Sequence, residues 1–171
     1  MQCFVRARVA TLLLITALMS APSAATTVEL SCRMTVPKTL LSRDTVPLKF
    51  EILNPRKKAV HVLIWNTPIE GFFGRYLRVI GPNGELEYGG AMMKRGAPER
   101  SDYVQIMAGG SVSKTINLAE VFKFSVGAEY RVEFIGPIVD ATTAKVPRAL
   151  EHHRSPAVTC PHVVFSILAE K

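Results

Sequence analysis

From Val28 to Leu168 apolar side chains recur at every second position in short runs, and a turn residue ends nearly every run. Period two is the pattern of a strand with one face buried, and it leaves no stretch from which a long helix could be built. Val28, Leu30, Cys32, Met34 and Val36 share one face up to Pro37, and Val46, Leu48, Phe50 and Ile52 share another up to Asn54-Pro55. Val60 to Trp65 is denser, as a central strand covered on both sides would be. Tyr76 to Ile80 and Glu85 to Tyr88 flank Gly81-Pro82-Asn83-Gly84, a hairpin signal through Asn-Gly. Val104 to Met107 and Val112 to Ile116 flank Ala108-Gly109-Gly110. Tyr130, Val132 and Phe134 alternate again, and His162 to Leu168 supplies the last run. Leu118 to Phe122 has room for one helical turn. About eight short strands at regular spacing predict an all-β fold, an Ig-like β-sandwich with Greek-key connections. Gly127-Ala128-Glu129-Tyr130 reads as the start of a late strand, a place for a corner tyrosine. Residues 136–156 mix Thr, Ala, Lys, Pro and His without period, and are expected to form a long mobile loop.

The first 25 residues stand outside that pattern. Arg6 and Arg8 precede an apolar run from Val9 to about Met19, followed by Ser23-Ala24-Ala25. This is the layout of a signal peptide, and the run is about half the ~20 residues a spanning helix needs. Cleavage after Ala25 is expected, with export to the periplasm or medium and no membrane span. Residues 26–171 then form one domain, large enough for a hydrophobic core. The formal charge of +7, less the two arginines removed, becomes +5, carried mainly by Arg56-Lys57-Lys58, Lys94-Arg95 and the stretch from Arg148 to Arg154. These clusters are short and interrupted by acids, so they are read as solvated loop charge or as attraction to an acidic partner, not as a nucleic-acid surface. Cys3 leaves with the signal. Cys32 and Cys160 remain, and an even count in an exported chain implies one disulfide, here from the first strand to the last.

Catalytic patterns are absent from the residues. Zinc proteolysis by His-Glu-x-x-His needs two histidines one helical turn apart and a glutamate beside the first. His61, His152, His153 and His162 are the four histidines, and none is followed by Glu. There is no Gly-x-Ser-x-Gly and no phosphate-binding Gly-x-x-x-x-Gly-Lys. The chain is therefore expected to be non-enzymatic and to need no cofactor. A weaker chemical option is copper or zinc held by His152, His153 and His162, or by Met92-Met93.

The remaining signal lies between Trp65 and Tyr103, where two loops rich in Gly, Pro and charge interrupt the strands. Pro68 sets a turn, Gly71 and Gly96 allow backbone angles other residues resist, and Glu70 and Arg95 are natural partners across the loops. Asp102 could cap a turn or pair with Lys94 or Arg95. Trp65, Thr67, Pro68, Glu70, Phe72, Phe73, Met92, Met93, Lys94, Arg95, Asp102 and Tyr103 form the candidate binding face, since exposed aromatics and methionines rimmed by charge suit protein docking. This block, with Tyr88, Gly90 and Pro98, resembles the non-catalytic N-terminal, prosegment-like domain of deuterolysin-type and peptidyl-Lys zinc metalloendopeptidases, over roughly Leu48 to Phe134. The resemblance implies a β-sandwich that serves a secreted zinc metalloprotease as inhibitor or folding aid. After Phe134 the chain departs from that family, with a long loop and a Cys-containing strand in place of the run into the protease. The other readings open at this point are an envelope or adhesion module binding glycan or a surface protein, and a periplasmic metal carrier.

Overall fold

A computed structural model describes residues 28–169; the expected signal peptide and its cleavage point lie outside the described residues. Eleven strands follow one another. The first six are β1 (Ser31–Thr35), β2 (Thr39–Leu40), β3 (Pro47–Leu53), β4 (Val60–Leu63), β5 (Leu77–Gly81) and β6 (Gly84–Glu85). Then come β7 (Tyr103–Ile106), β8 (Ser111–Asn117), β9 (Ala128–Phe134), β10 (Ala141–Thr142) and β11 (Val163–Ile167). Eight of the eleven have four or more residues and match runs the alternation marks, whereas the expected run Glu85 to Tyr88 pairs only at its start, in the two-residue β6. The described helical structure is three short 3₁₀ turns, Arg100–Asp102, Leu118–Glu120 and Leu150–His152. The fold is all-β.

One sheet has the order β1-β3-β8 and a second β2-β11-β9-β5-β6, with a small third group β10-β4-β7. The chain passes from β3 to the other sheet at β5, returns at β8 and crosses again to β9, so apart from the β5–β6 hairpin neighbours within a sheet are not neighbours in sequence. That is the Greek-key arrangement of an Ig-like sandwich. Between the two main sheets lie the alternating residues themselves. Leu48, Phe50 and Ile52 of β3 are fully buried, as are Val79 of β5 and Val132 of β9. The Phe50 and Phe134 rings meet across the layers with centroids 5.0 Å apart. Tyr130 does occupy a corner: its Oη accepts from Ser125 N at 2.7 Å and donates to Ser125 O at 3.2 Å. Phe124 stands edge-on to Tyr130 at 4.9 Å and to Phe165 of β11 at 5.8 Å.

The β3–β8 ladder does not stop at Leu53 but resumes as β4–β7 after a break in which six residues, 54–59, face four, 107–110. Asn54 makes the break possible. Its side chain is buried, and its Nδ2 donates to the carbonyls of Lys58 (2.9 Å), Ile106 (3.1 Å) and Met107 (3.1 Å) while Oδ1 accepts from Arg56 N (3.1 Å). One amide thereby satisfies backbone groups the interrupted ladder would leave unpaired.

Cys32 of β1 is bonded to Cys160, just ahead of β11, which staples the first sheet to the second as expected. The expectation of a mobile loop over 136–156 does not hold. Ile138, Asp140, Ala141, Thr142 and Val146 are buried, and β10 pairs with β4 through Ala141 opposite Val62 and Thr142 opposite His61. The cause is polar as well as apolar. The fully buried Asp140 carboxylate accepts from Tyr103 Oη (3.0 Å), Arg148 Nη1 (3.0 Å) and Arg154 N (2.8 Å). Val146 joins Leu63, Trp65 and Tyr103 in a small second core. No described helix is long and apolar enough to cross a membrane.

Candidate functional site

The two loops between β4 and β7 fold onto each other at one end of the sandwich. The first turns directly after β4. Asn66 takes a positive φ of 57°, a conformation Asn tolerates better than most side chains. Thr67 Oγ1 donates to Ile64 O at 2.6 Å and Glu70 N donates to Thr67 O at 3.2 Å, closing a tight turn that buries Thr67 and Pro68. Gly71, with φ of 115°, then redirects the chain so that its carbonyl accepts from Tyr76 Oη at 2.8 Å. The second loop is tied to the first by Met93 N donating to Phe73 O at 3.1 Å.

Charge completes the lock. Arg95 pairs with Glu70, and its guanidinium also lies over the Trp65 ring, 5.1 Å from the centroid. Burial pushes the Glu70 carboxyl above its ordinary value, and the neighbouring guanidinium opposes the rise. Lys114 reaches in from β8 and donates to the carbonyls of Ile69 and Glu70, both at 3.2 Å. The Glu70–Arg95 pairing expected from the sequence is thus present. Asp102 caps instead of pairing, with Oδ2 accepting from Glu99 N at 2.7 Å, and neither Lys94 nor Arg95 forms an ion pair with it.

The candidate face therefore divides in two. Trp65, Thr67, Pro68 and Tyr103 are buried and can only support a surface, because backbone turning and the small second core carry them inward. Glu70, Phe72, Arg95 and Asp102 are partly buried, and the first three of these form the inner wall with Tyr76, whose ring stacks on Phe72 at 6.5 Å. Phe73, Met92 and Met93 are the apolar side chains left outside, 40%, 71% and 50% exposed, and Lys94 is exposed beside them. Met92 also faces a shallow groove of about 410 Å³ bounded by Arg75, Glu85, Leu86, Glu87 and Tyr88. The loop face thus presents apolar tips on a charge-locked base.

Among the described residues no three His, Cys, Asp or Glu side chains converge as metal ligands would. His152, His153 and His162 are not brought into such a group. His153 Nε2 lies 3.4 Å from Tyr103 Oη and 3.2 Å from Arg148 O, within the Asp140 network. That network was not legible, because a lone acid in an aperiodic stretch reads as solvated. The clue that could have found it is the flanking Ile138, Val139 and Ala141, an apolar setting in which a carboxylate needs partners.

Tyr103 in this network gives a pH signature. Burial, then the hydrogen bond to Asp140 and the nearby Asp140 charge, push its phenol up to about 12. A group whose folded pKa is raised lends stability below its unfolded value, near 10, and that stability is lost as pH rises through the folded value. Burial also raises Tyr76 and Tyr88. Unfolding free energy is therefore expected to fall between about pH 10 and 12, with a shallower fall in Tyr103→Phe. Denaturant melts across that interval, followed alongside phenolate absorbance, check the slope.

No family model matches the chain. In comparison with curated proteins it is similar to an "Extracellular protease" of Aeromonas hydrophila, 29% identical over 121 residues. The match takes in 69% of this chain and 34% of that protein, so the chain spans about a third of the length of the relative it matches.

Proposed function

We propose that this chain is an exported, non-catalytic domain that binds a secreted zinc metalloprotease, in the manner of the prosegment-like domain of deuterolysin-type and peptidyl-Lys metalloendopeptidases, as inhibitor or folding aid. The observation that carries this reading is the domain-sized likeness to part of an extracellular protease. The contact face is the exposed trio Phe73, Met92 and Met93 with Lys94 beside it. The Glu70–Arg95 lock and the Met93–Phe73 backbone bond tie the two loops together, which limits the backbone freedom lost on docking and favours affinity. The Cys32–Cys160 bond supports export, because such bonds persist in oxidising compartments.

The test is direct. Purified, oxidised protein is immobilised and exposed to culture supernatant containing a zinc protease with a His-Glu-x-x-His motif, and the same protein is added to that protease in solution. Recovery of the protease together with slowed turnover, or a raised refolding yield, is the expected result. A Phe73→Ala, Met93→Ala double substitution should weaken the interaction about tenfold or more, as loss of two central apolar contacts does. No effect across a panel of such proteases, or equal binding by the variant, would overturn the reading.

A further inference from the structure

On the flank of the sandwich formed by the 54–59 excursion and the 141–154 segment, two basic stretches remote in sequence meet. Arg56 and Lys58 come from one, Arg148 and Arg154 from the other, and together with Thr142 and Thr143 they line a pocket of about 460 Å³. We propose that this pocket binds an oxyanion, a phosphate- or sulfate-bearing small ligand. The site is distinct from the loop face and does not depend on the protease reading.

Three observations support it. The first is charge without counter-charge. No carboxylate lines the pocket, and among the described residues Arg56, Lys58 and Arg154 form no ion pair. Only Arg148 is neutralised, by Asp140. Three unpaired cations around one concavity repel each other, and a bound dianion removes that repulsion. The second is burial. Arg56 is half-buried at the pocket wall and its Nη1 is enclosed by the protein itself, so the guanidinium is held in place beside the concavity. A purely solvated loop arginine would keep that nitrogen in water.

The third is support from behind. Asn54 accepts from Arg56 N and donates to Lys58 O, so one buried amide fixes the backbone of both cations. Asp140 does the same on the opposite wall, holding the Arg148 side chain and Arg154 N through a single oxygen. Arg154 Nη1 is further braced by the carbonyls of Glu151 and His153, at 3.2 and 2.7 Å. Thr142 Oγ1 accepts from Ala144 N at 3.0 Å, which leaves its hydroxyl proton to donate. Guanidinium groups present paired donors matched to phosphate and sulfate oxygens, and the pocket falls within the roughly 300–1,000 Å³ of small-molecule sites.

The experiment is a thermal melt of the oxidised protein in inorganic pyrophosphate, with sodium chloride at matched ionic strength as control. For a dissociation constant near 0.1 mM, about 10 mM pyrophosphate is a hundredfold excess and should raise Tm by about 5–10 °C. Lys58→Gln with Arg154→Gln, both on exposed side chains that the core does not need, should abolish most of that rise while leaving the Tm in chloride within a few degrees. Arg56→Gln should do the same. A sugar phosphate and a sulfated sugar, compared as further arms, identify by the larger shift which ester the pocket prefers. A shift no greater than that of matched chloride, or an equal shift in the double variant, would refute the site.

Discussion

Asp140→Ala is expected to destabilise the domain by about 3–5 kcal/mol, the range for removing one partner of a buried charged pair. The loss is large because one carboxylate satisfies three donors from three parts of the chain: Tyr103 at the start of β7, and Arg148 and Arg154 beyond β10. Without it the Arg148 guanidinium, only 19% exposed at its side chain, keeps its charge but loses its counter-ion. Tyr103 Oη loses its acceptor inside the small second core. Asp140→Asn should cost less, since an amide oxygen can still accept from Arg154 N. Urea melts of the three proteins give the comparison. The open form should also appear as faster proteolytic nicking within residues 136–156, because β10 then lacks its main polar anchor. A loss under about 1 kcal/mol for Asp140→Ala would mean that Ile138, Val146 and the β4 pairing hold the segment by themselves.

The second large effect concerns the staple. Replacing Cys32 and Cys160 together with Ala is expected to cost about 4–5 kcal/mol, from a sequence separation of 128 residues in the chain-entropy account of cross-links. Nearly the whole described domain lies inside that loop, so the unfolded chain gains most of its conformational freedom when the bond is absent. Cys32 also belongs to the buried face of β1, so the substitution removes some packing too. Stability of the oxidised protein, the reduced protein and the double variant separates the two contributions. Equal stability of all three would show that the unfolded state is already compact and that the bond constrains little.

How far the fold could be read in advance depends on what buries each segment. β1, β3 and β9 bury apolar residues at alternate positions, and that periodicity is visible in a sequence. The corner role of Tyr130 follows from its place at the start of such a run. β10 was invisible for a different reason. It is two residues long and is carried inward by a buried carboxylate, and polar burial leaves no period. β2 is equally short and depends on β11, a partner far along the chain. At the loop face, Glu70 and Arg95 were legible as complementary charges in facing loops. That Trp65 would slide beneath Arg95, and that Thr67, Pro68 and Tyr103 would turn inward, depends on the positive φ of Asn66 and on Val146 arriving from the far end of the chain. The cationic stretches could be seen singly, but their meeting depends on β10 docking against β4.

The position of β11 sets the order in which the molecule can be completed. It is an interior strand of its sheet, antiparallel to β9 on one side and parallel to β2 on the other, although it is the last strand in sequence. Until Ile167 has been synthesised, β2 has no partner, β9 is an open edge, and Cys32 waits for Cys160. Before β11 is available the β3–β8 pairing can form, but the second sheet lacks the strand that joins β2 to β9 and the sandwich cannot close.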